Sequence, residues 1–381
     1  MIRQLRLQNF KRFEDQCLDL GNITLLSGLN GMGKSSVLQS LLLLRQSHQQ
    51  GVLKHDGLAL NGDLINIGTA EDALFEGAKQ DTIGFFLSFG NRSGEANDAF
   101  WQFEYDPESE ILGLVSCGVC PETYQSNLFS DDFQYLQAER LGPRTSFAMS
   151  DFQVRQHRQL GTMGEYTAHF LSVFRDTEIP NPGLNHPKAR SLNLLSQVEA
   201  WLCEISPGTK VSILDSPGID LVSLRYSYGL SKQYRATNVG FGITYTLPVI
   251  TAILSAKPGA LLLLENPEAH LHPRGQARMG HLLAEAAAQN VQIILETHSD
   301  HVLNGIRLAV HSGNLSPEAV NLHFFQQRES TEGMVSEVVS PTMNRRGRID
   351  RWPDGFFDEW DNSLEALLAP IEPIQPSERE A

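Results

Sequence analysis

Hydrophobic and polar positions along the chain follow two periods, and the changes between them mark out its elements. Residues 3–10 alternate, with Leu5 and Leu7 on one side, which predicts a half-buried strand. Ile23-Thr24-Leu25-Leu26 is a short apolar run, and the leucine-rich stretch 37–44 behind it predicts a buried helix. Residues 83–89 and 101–105 are strand-like, and the turn Asp106-Pro107-Glu108-Ser109 leads to a further strand at 111–115. Helical spacing appears near 166–175 and 192–205, with polar, proline-bearing residues 178–187 between them. Residues 260–265 are apolar up to the last position, as in a strand buried on both faces of a parallel sheet. A helix over 273–289, a strand over 291–296 and a helix capped by Ser299 follow. Further strands fall near 322–326 and 335–339, and residues 370–381 read as a frayed tail.

The predicted class is therefore α/β, with a mostly parallel core sheet and antiparallel N-terminal strands. The core is expected over 1–50 and 238–345, with an inserted mixed α/β lobe at 51–237 and a C-terminal motif and tail at 346–381. Composition agrees with a folded chain: 381 residues, 41% hydrophobic and 20% charged. The net charge of -15 argues against broad, sequence-independent duplex binding by the chain alone. Arg140, Arg144, Arg155 and Arg158 could line up as a local basic strip, but a solvated face is the preferred account. Cys117 and Cys120 form a C-x-x-C with no second pair to complete a zinc site. Four cysteines, no apolar signal core and no membrane-length apolar run lead to the expectation of a cytoplasmic protein with no membrane partner.

The most specific chemistry lies between the first apolar run and the leucine-rich helix, in Gly28-Leu29-Asn30-Gly31-Met32-Gly33-Lys34-Ser35. Strand, glycine-rich loop and helix is the context of a phosphate-binding loop. Gly28, Gly31 and Gly33 allow successive N–H groups to turn inward onto phosphate oxygens, and the helix N-terminus adds its dipole. Lys34 would reach the outer phosphates and the Ser35 hydroxyl would sit on Mg²⁺. Residues 30–36, Ser36 included, are the expected ATP-binding set.

Three further stretches complete the machinery. Glu265 ends an apolar strand, which puts its carboxylate at the C-terminal edge of the sheet, where it can hold Mg²⁺ through water. Glu268, His270 and His272 follow in a proline-bracketed loop; a metal cluster of these with His298 is the rival account. Glu296-Thr297-His298-Ser299-Asp300 ends the next strand, where a histidine can bond a terminal phosphate. Asn238-Val239-Gly240-Phe241-Gly242 precedes an apolar helix. With Thr244 as its cap, Pro248 would fall in the first turn, and the helix start would be a second anion site. Two such sites point to a nucleotide sandwiched between two copies.

In this order the four stretches resemble the heads of ABC-type and SMC-like ATPases, and Asn9-Phe10-Lys11-Arg12-Phe13 resembles the segment that opens RecF- and SMC-like heads. Glu265-Asn266-Pro267-Glu268-Ala269-His270-Leu271-His272-Pro273 and Glu296–Asp300 are similar to a family of prokaryotic AAA-type ATPases related to the overcoming-lysogenisation-defect (OLD) nucleases. Ala138-Glu139-Arg140-Leu141-Gly142-Pro143-Arg144 and Trp352-Pro353-Asp354-Gly355-Phe356-Phe357-Asp358 resemble signatures of that family. The resemblance implies an ABC-type P-loop head with residues 28–36 as Walker A and Glu265 as the Walker B acid. Val239, Gly240, Phe241 and Gly242 would be the signature supplied in trans, and His298 the switch histidine. It further implies ATP and Mg²⁺, a homodimer or higher homo-oligomer, and a separate effector, such as a nuclease, in antiviral defence.

One departure affects the chemistry. ABC-type heads place a glutamate after the Walker B acid, and this chain has Asn266, whose amide cannot take a proton from water. Either hydrolysis is slow and ATP mainly holds a dimer closed, or Glu268 or Glu296 supplies the base; slow hydrolysis assisted by Glu268 is the favoured expectation. The alternatives are a nucleotide-locked scaffold without turnover and an SMC/RecF-like DNA-repair ATPase, with nucleic acid passing through the assembly. Two other rivals are weaker. Asp215-Ser216-Pro217-Gly218 has the D-x-x-G form of a GTPase switch, but no N-K-x-D motif accompanies it, and it reads as a hairpin turn. An OLD-like nuclease would need spaced carboxylate pairs that residues 352–361 lack.

Overall fold

A computed structural model describes residues 1–90, 96–330 and 333–368. The alternating N-terminus forms a hairpin of β1 (Ile2–Phe10) and β2 (Phe13–Asp19), followed by β3 (Ile23–Gly28) and α1 (Lys34–Gln49). Next come β4 (Gly57–Ala59), the one-turn α2 (Ala70–Ala73), β5 (Thr82–Gly90), β6 (Ala96–Glu104), β7 (Ile111–Gly118) and β8 (Phe133–Leu136). The middle of the chain holds β9 (Phe147–Ala148), α3 (Thr167–Phe174), α4 (Leu194–Ile205), β10 (Thr209–Ser216), β11 (Leu221–Tyr228) and β12 (Tyr234–Arg235). The last part runs α5 (Phe241–Ser255), β13 (Leu261–Glu265), α6 (Pro273–Ala288), β14 (Gln292–Glu296) and α7 (Asp300–His311). It ends with β15 (Val320–Ser330), β16 (Gly333–Val339) and α8 (Glu359–Leu368).

One sheet has the order β16-β15-β3-β14-β13-β8, parallel throughout except for the β15–β16 hairpin. A second, antiparallel sheet has the order β2-β1-β5-β6-β7-β4. The run Leu261–Leu264 shows why the parallel strands read as unbroken apolar segments. Leu262 and Leu264 join the core shared with α5, α6 and α7, while Leu261 and Leu263 join the core shared with α1 and the antiparallel sheet. A strand with no solvent face has no polar alternation to show. Helix α1 is likewise buried on most sides, polar residues included, and Leu41 to Leu44 are all fully buried between the two sheets.

Residues 51–237, expected as an inserted mixed region, contribute strands to both large sheets: β5 pairs with β1, and β8 is an edge strand of the parallel sheet beside β13. Alternation marks a strand but not its partner eighty residues away. Only β9 to β12, with α3 and α4, lie outside both large sheets. The start of α5 differs from the expectation. Its N-cap is Gly240, so Thr244 lies inside the helix, donating to the Phe241 carbonyl, and Pro248 is internal instead of in the first turn. The glycine-lined start remains, four residues earlier. The four arginines share neither a basic strip nor a solvated face: Arg140 is 1% exposed, Arg155 pairs with Asp151 at 3.0 Å, and Arg158 stacks on Phe174. The D-x-x-G segment is the expected hairpin turn, between β10 and β11. The tail expected at 370–381 lies outside the described residues.

Candidate active site at the phosphate loop

The loop after β3 needs its glycines. Gly28 has φ +129° and a Cβ there would stand 2.1 Å from the Phe325 carbonyl oxygen of β15. Gly33, the residue before α1, has φ +103° and a Cβ would meet the Phe13 ring at 2.4 Å. Neither position admits a side chain without moving backbone or an aromatic ring. Gly31 (φ +77°) faces open space at the cleft, and Asn30 beside it is exposed.

Lys34 and Ser35 open α1. The Lys34 ammonium is 4% exposed and donates to the carbonyls of Gly28 and Leu29 at 3.0 and 2.8 Å. Burial depresses its pKa, and the nearby Glu296 opposes that shift. Ser35 Oγ donates to Glu296 Oε2 at 2.9 Å, and Lys34 Nζ stands 3.9 Å from Glu296 Oε1. Met32 and Ser36 are buried under the loop. The loop, Glu296, and Lys11 and Arg12 from the β1–β2 turn line a cleft of about 540 Å³.

Glu265 and Glu296 end adjacent parallel strands in register. The two carboxylates have different partners. Glu265 accepts from the Tyr135 hydroxyl at 2.8 Å and from the Ala138 N–H at 3.1 Å, so it faces β8 instead of Ser35. Ser35, expected with Glu265 on the cation, has Glu296 as its carboxylate partner. Glu296 is buried, which raises its pKa; Ser35 and Lys34 moderate the rise, and Glu265 and Glu268 add to it.

Asn266 takes a left-handed backbone (φ +44°) and its N–H donates to the Glu296 carbonyl at 2.8 Å. Its side-chain oxygen is buried without a partner. Glu268, 8% exposed, accepts from the His298 N–H through Oε1 at 3.1 Å, while Oε2 has no partner. Burial raises the Glu268 pKa. Partial burial, and then the charge of Lys34, lower that of His298, so its imidazole is neutral at pH 7. His272 caps α6 through Nδ1, and His270 rests edge-on against Tyr245. Among the described residues no three His, Cys, Asp or Glu side chains are placed to hold a metal ion by themselves.

Two supports escaped the sequence reading. Arg140 donates to the carbonyls of Gln137, Glu265 and Asn266 at 3.0, 2.7 and 2.6 Å, locking the turn after β13. Tyr135 fixes Glu265. Both belong to Phe133-Gln134-Tyr135-Leu136-Gln137-Ala138-Glu139-Arg140, whose signal is a short apolar strand followed by polar residues, masked by Gln134 within it. Val239, Gly240, Phe241 and Gly242 lie at the α5 N-terminus, where Phe241 is 55% exposed. A Cβ on Gly242 would stand 2.6 Å from the His270 carbonyl oxygen, so this helix start packs on the turn that carries Glu268.

Residues 1–94 match the model of an AAA ATPase domain. Residues 131–304 match one described as AAA domain, putative AbiEii toxin, Type IV TA system, and residues 315–367 match a domain described as a protein of unknown function (DUF3696). No curated protein matches the chain in sequence. Among solved structures, an SMC head bound to the C-winged helix domain of ScpA is similar at TM-score 0.59 and 15% identity, over 90% of this chain and 98% of that one. The Smc head domain with an extended coiled coil bound to the C-terminal domain of ScpA, from Pyrococcus furiosus, gives 0.53 at 14%, over 96% and 99%. The Pyrococcus yayanosii Smc head with a coiled coil and joint gives 0.53 at 11%, over 91% and 98%. The strand order with the glycine-rich loop on β3 and these neighbours agree: the chain has the α/β P-loop NTPase fold of SMC heads, and two of its stretches match models of AAA-type ATPase domains.

Proposed function

We propose that the chain binds ATP with Mg²⁺ at the phosphate loop, hydrolyses it slowly, and closes on a second copy around the nucleotide to regulate a separate effector. The observation that carries this reading is the meeting of Lys34, Ser35, Glu296, Glu268 and His298 at one sheet edge beside an open cleft. The residues fit the ligand. A buried ammonium bonded to two loop carbonyls and 3.9 Å from Glu296 is poised for phosphate oxygens, and Gly31 faces open space at the cleft. Mg²⁺, when bound, supplies charge neutralisation for the phosphates.

The chain's own groups divide the remaining work. The unpartnered Glu268 oxygen can accept a proton from water, and the Asn266 amide can only orient that water. The neutral His298 ring can donate to a terminal phosphate oxygen. The exposed α5 start would present Val239 to Gly242 to the partner copy's nucleotide. An effector role in antiviral defence, with a nuclease as one candidate, rests on the OLD-like motifs. The ScpA-bound heads support a protein partner in general.

An SMC/RecF-like role on DNA is the second reading, favoured by the same structural neighbours. Phosphate release with ATP and Mg²⁺, beside Lys34→Ala and with mass read by light scattering, tests the proposal. Slow turnover that Lys34→Ala abolishes, with an ATP-dependent doubling of mass, is expected. Doubling without turnover would leave a nucleotide-locked scaffold, and strong stimulation by DNA would favour the SMC/RecF-like role. Unchanged turnover in Glu268→Gln would remove Glu268 as the base.

A further inference from the structure

In the parallel sheet, β14 lies between β3, which carries the phosphate loop, and β13. Of the two acidic strand ends, that of Glu296 is therefore the nearer to the loop, and Glu265 is one strand further away. The hydrogen bonds follow that order. Both Glu265 oxygens are occupied by donors on the β8 side, Tyr135 Oη–H and the Ala138 N–H. Glu296 Oε2 instead meets Ser35 Oγ at 2.9 Å, beneath Lys34. Adjacent oxygens on an octahedral Mg²⁺ with bonds of ~2.1 Å lie ~3.0 Å apart, so Ser35 Oγ and Glu296 Oε2 already stand at the spacing of two neighbouring ligands. A second sign of a ligand is Glu268, more than nine-tenths buried, which reaches the same strand ends with its Oε2 unpartnered.

We propose that Glu296, together with Ser35, supplies the protein oxygens for the divalent cation that accompanies the nucleotide. Glu265 is then a positioning residue that ties the end of β13 to β8. The assignment rests on the reading of this cleft as an ATP site.

Calorimetric titration of the full chain with ATP, with and without Mg²⁺, separates the two carboxylates. Mg²⁺ is expected to tighten ATP binding to the wild-type chain. In Glu296→Gln the metal-free affinity stays within about threefold of wild type, while the gain from Mg²⁺ falls at least tenfold. In Glu265→Gln that gain persists. Melting curves establish that both variants fold. Loss of the gain in Glu265→Gln, alone or together with Glu296→Gln, overturns the assignment while leaving the ATP site intact. Failure of the wild-type chain to bind ATP at all overturns the nucleotide reading and the assignment with it.

Discussion

Glu268 carries its carboxylate in a place that disfavours charge, and this has a consequence for stability. Its native pKa is raised by burial, so the native state holds the proton at higher pH than the unfolded chain does. Stability from this group is present below the ordinary carboxylate range and is lost as pH rises from there through the native value. Glu268→Gln removes that dependence while keeping an acceptor for the His298 N–H. Melting temperatures measured from pH 4.5 to 8 should show the variant gaining on wild type as pH rises, by ~1–3 °C at the upper end; parallel curves would refute it. Arg140 works in the opposite direction. Its guanidinium satisfies three carbonyls, and burial lowers its pKa to about 10, still charged at neutral pH. Arg140→Met removes those three hydrogen bonds, leaving the Asn266 carbonyl the one from the Ala269 N–H, and should cost about 2–4 kcal/mol in urea unfolding. A cost under about 1 kcal/mol would mean that water replaces the side chain.

At the scale of elements, close approach decides more than hydrophobicity. Helices α6 and α7 meet through glycines: a Cβ on Gly280 would stand 2.2 Å from the Val302 carbonyl oxygen, and one on Gly305 would stand 2.3 Å from that of Ala277. Backbone on both sides leaves no flexible side chain to give way. Gly305→Ala should destabilise the chain by about 2–3 kcal/mol and shift the end of β14, which feeds α7. Chemical denaturation checks the first effect and ATP affinity the second. The elements themselves were legible from periodicity: the strands at 83–89, 260–265 and 291–296 and the helices at 273–289 and after Ser299 are where alternation and caps place them. The start of α5 was not. Thr244 is a good cap by residue type, but Gly240, in extended conformation (ψ 143°), begins the helix, and the buried apolar α5 tolerates Pro248 within it.

For the whole molecule, the prediction concerns association. Leu29 on the phosphate loop and Phe241 on α5 are both large, apolar and more than half exposed. Phe241→Glu should leave the melting temperature within about 2 °C and ATP binding unchanged, while abolishing the ATP-dependent doubling of mass. Persistent doubling in light scattering would remove the α5 start from the interface. Among the described residues no helix is long and apolar enough to cross a membrane.

The phosphate loop was determined by sequence alone, because its chemistry is local: glycines where φ must be positive, then Lys34 and Ser35 at a helix start. The presence of acidic strand ends was determined in the same way. Tertiary structure decided which of those acids meets Ser35. Strand order puts β14 between β3 and β13, so Glu296 meets Ser35 and Glu265 turns to Tyr135. It also placed β8 in the core sheet and buried Arg140 behind the turn that a surface reading would have left in solvent. Partner choice between parallel strands depends on packing and hydrogen bonds across more than a hundred residues, and no local period carries that information.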